Sequence, residues 1–468
     1  MNKFVSILAL VVAIPLTLEA RLLPQRAVLE NGLILLTSEE KALPMVTFNL
    51  LIKAGSRFDT SGSEGLANLT ARLLTTGTRK RTALEISETL DFIGALLSAS
   101  SGKELATVSL TLLKKDLDVG LKLLVEILTE SVFPPEEIER QKQSVIASIR
   151  AKRENPGWIA QRKFLEALFP KSPYGRPTEG TEQSIKAIER DSLVEFYERF
   201  YRPNGAILAV VGDVSHQEMV QSLSKVFQSW GRGPSVEEPP PPSLPGPKNF
   251  IRINKNLTQA NIIIGHEGVP RDHPDYYAIQ VMNYILGGGG FSSRMMNSIR
   301  NERGLAYSVY SAFSSSKYVG TFRVVMQTKN ETAREAILIA MDEIRGIREK
   351  GVSKGELKAA KDYLIGLYAS CLIKDGGTLQ LGISSLSDAI VYACTYRQKQ
   401  NETYQKIMGS LEVEKKFGDA LRRVGGLEPF DRGLYGSSEM FVDGFLELME
   451  AGILKRRVYD DEDLQAQV

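Results

Sequence analysis

Apolar and polar positions alternate through VTFNLLIKAGSRFD (Val46–Asp59) and ELATVSLTLL (Glu104–Leu113), the two-residue period of half-buried strands. Between them EGLANLTARLL (Glu64–Leu74) spaces its apolar residues as a helix does. Two more helices are predicted in DVGLKLLVEILTE (Asp118–Glu130) and in the stretch opening Pro134-Pro135-Glu136-Glu137, because proline and acidic side chains suit a helix N-terminus. The same order returns in the second half. A strand is predicted at Ala260–Val269, a helix at Pro274–Leu286, strands in SVYSAF and TFRVVMQ, then helices in ETAREAILIAMDEIRGIRE and SKGELKAAKDYLIGLYAS. Glu137-Ile138 and Glu356-Leu357 occupy matching places, 219 residues apart. An α+β chain of two homologous units is the architecture this pattern predicts.

Proline-rich residues 236–248 resist packing and read as an interdomain linker between a first unit, 26–235, and a second, 249–370. The first unit runs on through further helices to a closing strand, Ala206–Val211. The second stops short at Ser370, and residues 371–468 follow with different turn chemistry, so apolar surface on the second unit is expected to be left bare. At the amino terminus, Lys3, the apolar run Phe4–Leu16 and Ala20 have the order of a secretory signal over residues 1–20. The body is therefore expected to be exported, to the periplasm in a bacterium, with no stable membrane insertion once the signal is cut. An uncleaved membrane anchor is the alternative.

Composition narrows the chemistry. With 58 Lys and Arg against 56 acids among 468 residues, the formal charge is +2, which gives no electrostatic reason to expect a nucleic-acid partner. At 43% hydrophobic and 24% charged, a disordered chain is excluded. Two cysteines, Cys371 and Cys394, make no disulfide framework or Cys-based zinc site. His216, His266 and His273 have no His-x-x-x-His spacing. Gly287–Gly290 lacks the Lys-Ser/Thr of a phosphate loop and reads as a hinge.

AGSRFDTSGSEGLANLTARLLTTGT, SPYGRPTEGTEQSIKAI, FYRPNGAILAVVGDV and GGGGFSSRMMNSIRNERGLAYSVYSAF together resemble the pitrilysin/insulinase family of zinc peptidases, in its processing-peptidase-like branch. The resemblance runs from about Arg26 to Ser370. It implies two α/β sandwich-like domains that close around a peptide. The family's zinc helix reads H-x-x-E-H after Gly-Leu-Ala: two imidazoles one turn apart reach one metal, and the Glu takes a proton from its water. Here Gly65-Leu66-Ala67 leads into Asn68 and Arg72 at the His places and Ala71 at the Glu place; Ala147 stands where the third ligand would be. A permanent cation at Arg72 opposes zinc outright. No metal is therefore expected in this chain. The helical pattern of FSSRMMNSIRNER, the stop at Gly304 and the strand LAYSVYSAF keep the family's arginine–tyrosine pair, Arg300 and Tyr307. The resemblance implies that such a pair donates hydrogen bonds to the substrate carbonyl.

KDGGTLQLGISSLSDAIVYA and YGSSEMFVDGFLELMEAGIL resemble the carboxyl-terminal part of acetyl-CoA hydrolases and CoA-transferases, which implies an α/β fragment with Glu439 as nucleophile and Gly382 in a glycine-bearing turn. The amino-terminal domain of that family is missing. The leading expectation is a non-catalytic subunit that binds a peptide or unfolded protein and lends Arg300 and Tyr307 to a homologous zinc-bearing partner. The rivals are a CoA-type activity through Glu439 and a stand-alone peptide-binding scaffold.

Overall fold

β3 (Met45–Ile52) organises the first sheet: Val46, Phe48, Leu50 and Ile52 are buried, while Met45, Thr47, Asn49 and Leu51 are more open. The computed structural model describes residues 24–41, 43–170, 172–234, 238–239, 250–381, 385–411, 413, 421, 423, 425–437 and 443–455. The signal reading at 1–20, most of the 236–248 linker, Gly382 and Glu439 lie outside them. β3 pairs antiparallel with β5 (Ala106–Leu113), which carries β4 (Leu96–Ser101) at the edge. On its other side β3 meets β6 (Ile207–Gly212), and β2 (Ile34–Glu39) and β1 (Gln25–Val28) complete the order β1-β2-β6-β3-β5-β4. The apolar core of this unit takes residues from α1 (Leu66–Leu73), α2 (Ala83–Ile93), α3 (Leu117–Thr129) and α4 (Pro135–Arg153) as well as from the sheet. The strand expected to reach Asp59 ends at Ile52. Gly55 begins a turn so close to β5's approach that an added Cβ would fall 2.3 Å from the Glu104 carbonyl carbon.

The second sheet has the order β7 (Gln259–Gly268), β9 (Gly320–Lys329), β8 (Ala306–Ser315), the counterparts of β3, β5 and β4. Phe322, Val324 and Met326 pack inward against Met295, Ile299, Ala336 and Ala340. Among the described residues it gains no fourth strand. Instead α5 (Pro156–Leu168), from the first unit, packs along β7, where a Cβ on Gly265 would lie 2.8 Å from the Phe164 ring. The hairpin tip between β8 and β9 plugs the first unit: Tyr318 and Val319 join Leu168, Phe169 and Tyr174. Arg57, 4% exposed, stacks its guanidinium 4.6 Å from the Tyr318 ring and pairs with Glu238 at 2.8 Å. Glu238 also accepts from Lys317 Nζ and the Tyr318 hydroxyl, both at 3.1 Å.

The remaining first-unit helices are α6 (Glu182–Ala187), α7 (Arg190–Phe200) and α8 (His216–Val226). The second unit adds α9 (Tyr276–Asn283), α10 (Ala333–Lys350) and α11 (Lys354–Cys371). Its helices are not left bare. α12 (Ser385–Lys399) packs along α11, and Tyr284, Tyr363, Tyr392 and Tyr396 form a ring-to-ring seam with centroids 4.6–6.1 Å apart. Beyond it come α13 (Asn401–Ser410), α14 (Asp443–Glu450) and a parallel pair, β10 (Thr378–Gln380) with β11 (Tyr435–Ser437). Arg397, 1% exposed, donates to the carbonyls of Ser370, Ile373 and Glu428 at 3.0, 2.8 and 2.6 Å.

Ser353 caps α11, and the Glu356 carboxylate returns to the Ser353 N–H while Arg294 grips it from Nε and Nη2 at 2.6 and 2.9 Å. The Arg294 contact, with the Ser353 N–H adding to it, holds Glu356 at about 2. A carboxyl held below its unfolded value stabilises the fold above that value and loses the effect as it protonates. The stability difference between the wild type and Arg294→Ala should therefore be full above the usual glutamate range and shrink as pH falls towards 2. Urea midpoints at a series of pH values check this, and a difference that does not change with pH would contradict it.

Candidate functional site

α1 is held at its start by Asp59, whose carboxylate accepts the N–H groups of Gly65 and Ala67, each at 2.9 Å. Gly65 sits at φ +95°, and a Cβ there would strike Glu179 and Ile185, so glycine is required. Burial pushes Asp59 up to about 7 against those two donors. From this anchor the helix buries Leu66, Ala67, Leu69, Thr70, Ala71 and Leu73. Asn68 and Arg72, one turn apart, take the outward stripe; Asn68 is half-buried and Arg72 exposed. Arg72 Nε donates to Gln141 Oε1 on α4 at 3.1 Å. Ala147, on the same helix six residues further, is exposed. These four positions thus present an amide, a guanidinium and two methyls. None is an anionic or imidazole ligand, and a zinc ion does not fit them.

Among the described residues no group of three or more His, Cys, Asp or Glu could hold a metal ion. The histidines lie apart: His216 meets the Thr37 hydroxyl at 2.6 Å, His266 packs on Phe322, and His273 accepts the Asp275 N–H at 3.1 Å. Both cysteines are free and buried, and burial lifts their thiols to about 11 and about 12, which removes thiolate chemistry near neutrality.

The second constellation is assembled. The backbone opens into a wide π-helical turn over Met296–Asn301, fixed from behind by buried Met295, Met296 and Ile299. Gly304, at φ +62°, ends it by donating to the Arg300 carbonyl at 2.9 Å. β8 starts two residues later with a bulge between Ala306 and Ser308. That irregularity turns Tyr307 outward, 75% exposed, with the Arg300 guanidinium 5.5 Å from its ring centroid. A planar cation and a phenol therefore stand side by side on the outer face of the second sheet, and both can donate to an oxyanion. The Gly287–Gly290 segment differs from a free hinge: Gly287 is buried against Ser311, and an added Cβ would sit 2.5 Å from the Ser311 nitrogen. Tyr318 and Glu238 escaped the sequence reading, since their partner Arg57 lies far along the chain; its only local signal was its place within AGSRFD.

Comparison with known proteins follows the same division. The family model described as insulinase (peptidase family M16) matches residues 35–182, and that described as peptidase M16 inactive domain matches 187–364. An uncharacterized zinc protease of Rickettsia bellii is 31% identical over 334 residues, covering 71% of this chain and 80% of that protein. One from Streptomyces coelicolor is 29% identical over 351 residues, with 73% and 76% covered. The crystal structure of a peptidase M16 inactive domain from Pseudomonas fluorescens superposes with a TM-score of 0.70 at 25% identity, covering 90% of this chain and 98% of that one. A Helicobacter pylori protease gives a TM-score of 0.67 at 21% identity, over 86% and 96%. The 90% span exceeds what residues 26–370 can supply, so the likeness in fold continues past Ser370. It thereby corrects the expectation that the shared architecture stops at that residue.

Proposed function

Because this chain belongs to the M16 insulinase family of peptidases, we propose that it is the non-catalytic member of a peptidase pair. It holds an extended peptide and lends Arg300 and Tyr307 to a homologous, zinc-bearing subunit. The observation that carries this reading is the asymmetry within one chain. The helix at the zinc-motif position is folded and anchored by Asp59 but bears Asn68, Ala71 and Arg72, while Arg300 stands beside an exposed Tyr307. In the composite site the guanidinium and phenol would orient the scissile carbonyl and stabilise the charge developing on its oxygen. Zinc on the partner would supply the activated water. The amino-terminal segment fits an exported protein, and a nearly balanced net charge of +2 fits a peptide or unfolded-protein partner better than a polyanion.

The direct test is metal analysis with a peptidase assay. The purified chain should retain no stoichiometric zinc after dialysis and cleave no unfolded substrate alone, and addition of a zinc-bearing homologue should produce cleavage. One zinc per chain, or turnover by the chain alone, would overturn the proposal. The alternative, a CoA-type activity through Glu439, gains nothing from the comparisons, because the likeness to an M16 structure spans 90% of the chain. Acetyl-CoA hydrolysis that Glu439→Gln abolishes would establish it instead.

A further inference from the structure

Arg323 is a second cation on the face that presents Tyr307. Along β9, Phe322, Val324, Met326 and Thr328 point into the core, so Arg323, Val325 and Gln327 point to the outer side. Arg323 lies opposite Ala312 on β8 and opposite Gly265 on β7. Gly265 contributes no side chain, and the Phe164 ring of α5 stands against it as a wall. On β8 the outward residues Tyr307, Tyr310 and Ser314 are exposed. The result is a corner between α5 and the sheet, open towards Tyr307.

The guanidinium in this corner is only half-buried, yet its Nε is shielded from solvent and has no hydrogen-bond partner. Among the described residues no carboxylate pairs with it, although Glu267 stands on the same face, two positions along β7 from Gly265. With Nε closed off, a ligand meets the two Nη groups, which are open to solvent and have no acceptor among the described residues, and a bidentate carboxylate is the acceptor whose geometry matches that edge. Register sets the reach. Tyr307 lies beside Gln327 and Thr328, four residues from Arg323, which is about 13 Å of strand and about four residues of an extended peptide.

We propose that Arg323 is a specificity-determining residue that binds a carboxylate of the peptide, about four residues from the carbonyl that Tyr307 contacts. This rests on the peptide-binding reading above. The carboxylate is either an Asp or Glu side chain or the peptide's own carboxyl terminus, and the planar fork of arginine selects it over amide and cationic groups. Peptides carrying no such group would leave the accessible edge of the guanidinium without an ionic partner and bind less tightly.

The test is equilibrium binding of short labelled peptides to the full chain, followed by fluorescence anisotropy. In one arm a single glutamate is walked along an amidated glutamine-containing peptide; in the other the same peptide carries a free or an amidated end. Wild type should prefer one glutamate position, or the free end, by about tenfold or more. Arg323→Gln should erase that preference while binding the amidated all-glutamine peptide as wild type does, and Arg323→Lys should restore it only in part. Thermal melting of each variant separates a folding defect from a lost contact. Peptide binding without any carboxylate preference in either arm would overturn the role of Arg323 alone. Absence of binding to every peptide would overturn the peptide-binding reading and this inference with it.

Discussion

Arg300→Ala and Tyr307→Phe should each lower kcat of the complex reconstituted with a zinc-bearing homologue by about 10²–10³-fold, the usual effect of removing one donor to a transition-state oxyanion. Assembly should be unaffected. Arg300 stands on a turn held by Met295, Met296 and Ile299, and Tyr307 is three-quarters exposed, so neither change opens the core. Arg300→Lys should recover little, because an ammonium reproduces the charge but not the two-pronged geometry. Purely structural roles for the pair predict another pattern: weaker folding or assembly, with normal turnover in whatever complex forms. Measuring kcat and subunit affinity on the same preparations distinguishes the two, and an unchanged kcat in both variants would remove the donated-site proposal.

The second large effect is expected at the join. Arg397→Met should destabilise the region after Ser370 by about 2–5 kcal/mol. The substitution strips the buried Ser370 carbonyl and the part-buried carbonyls of Ile373 and Glu428 of their donor, and loses the stacking on Phe430 at 4.2 Å. Hydrogen exchange read by mass spectrometry should show faster exchange in α12 and α13, with α1, α3 and α4 unchanged. Equal protection of α12 in wild type and variant would show that the tail is held by other contacts.

Both constellations were legible in the sequence to different depths. Local signals worked where the physics is local. Alternation located β3 and β5, the Pro-Pro-Glu-Glu start located α4, and the Gly304 stop placed Arg300 at the end of a helical turn with Tyr307 on the following strand. The substitutions at Asn68, Ala71 and Arg72 could be read directly, because a ligand set is a statement about residue types at fixed helical spacing. The bulge that turns Tyr307 outward could not, since it depends on the register of β8 against β9. Arg57 under Tyr318, Arg323 facing Gly265 and Arg397 across the join all draw their meaning from residues distant in the chain. The same holds for the tail, where the packing of α12 on α11 brings Tyr392 beside Tyr363.

The packing of α5 along β7 also sets an order of events. The first unit closes its own six-stranded sheet without a strand from the second, whereas the three-stranded sheet is completed against a helix made earlier in synthesis. As the chain leaves the ribosome, Phe164 and its neighbours are in place before Gly265 emerges, and long-range strand pairing is slow relative to helix formation. The first unit therefore serves as a folding template for the second. A fragment beginning after residue 249 should refold poorly by itself, and recover when the first unit is supplied as a separate chain.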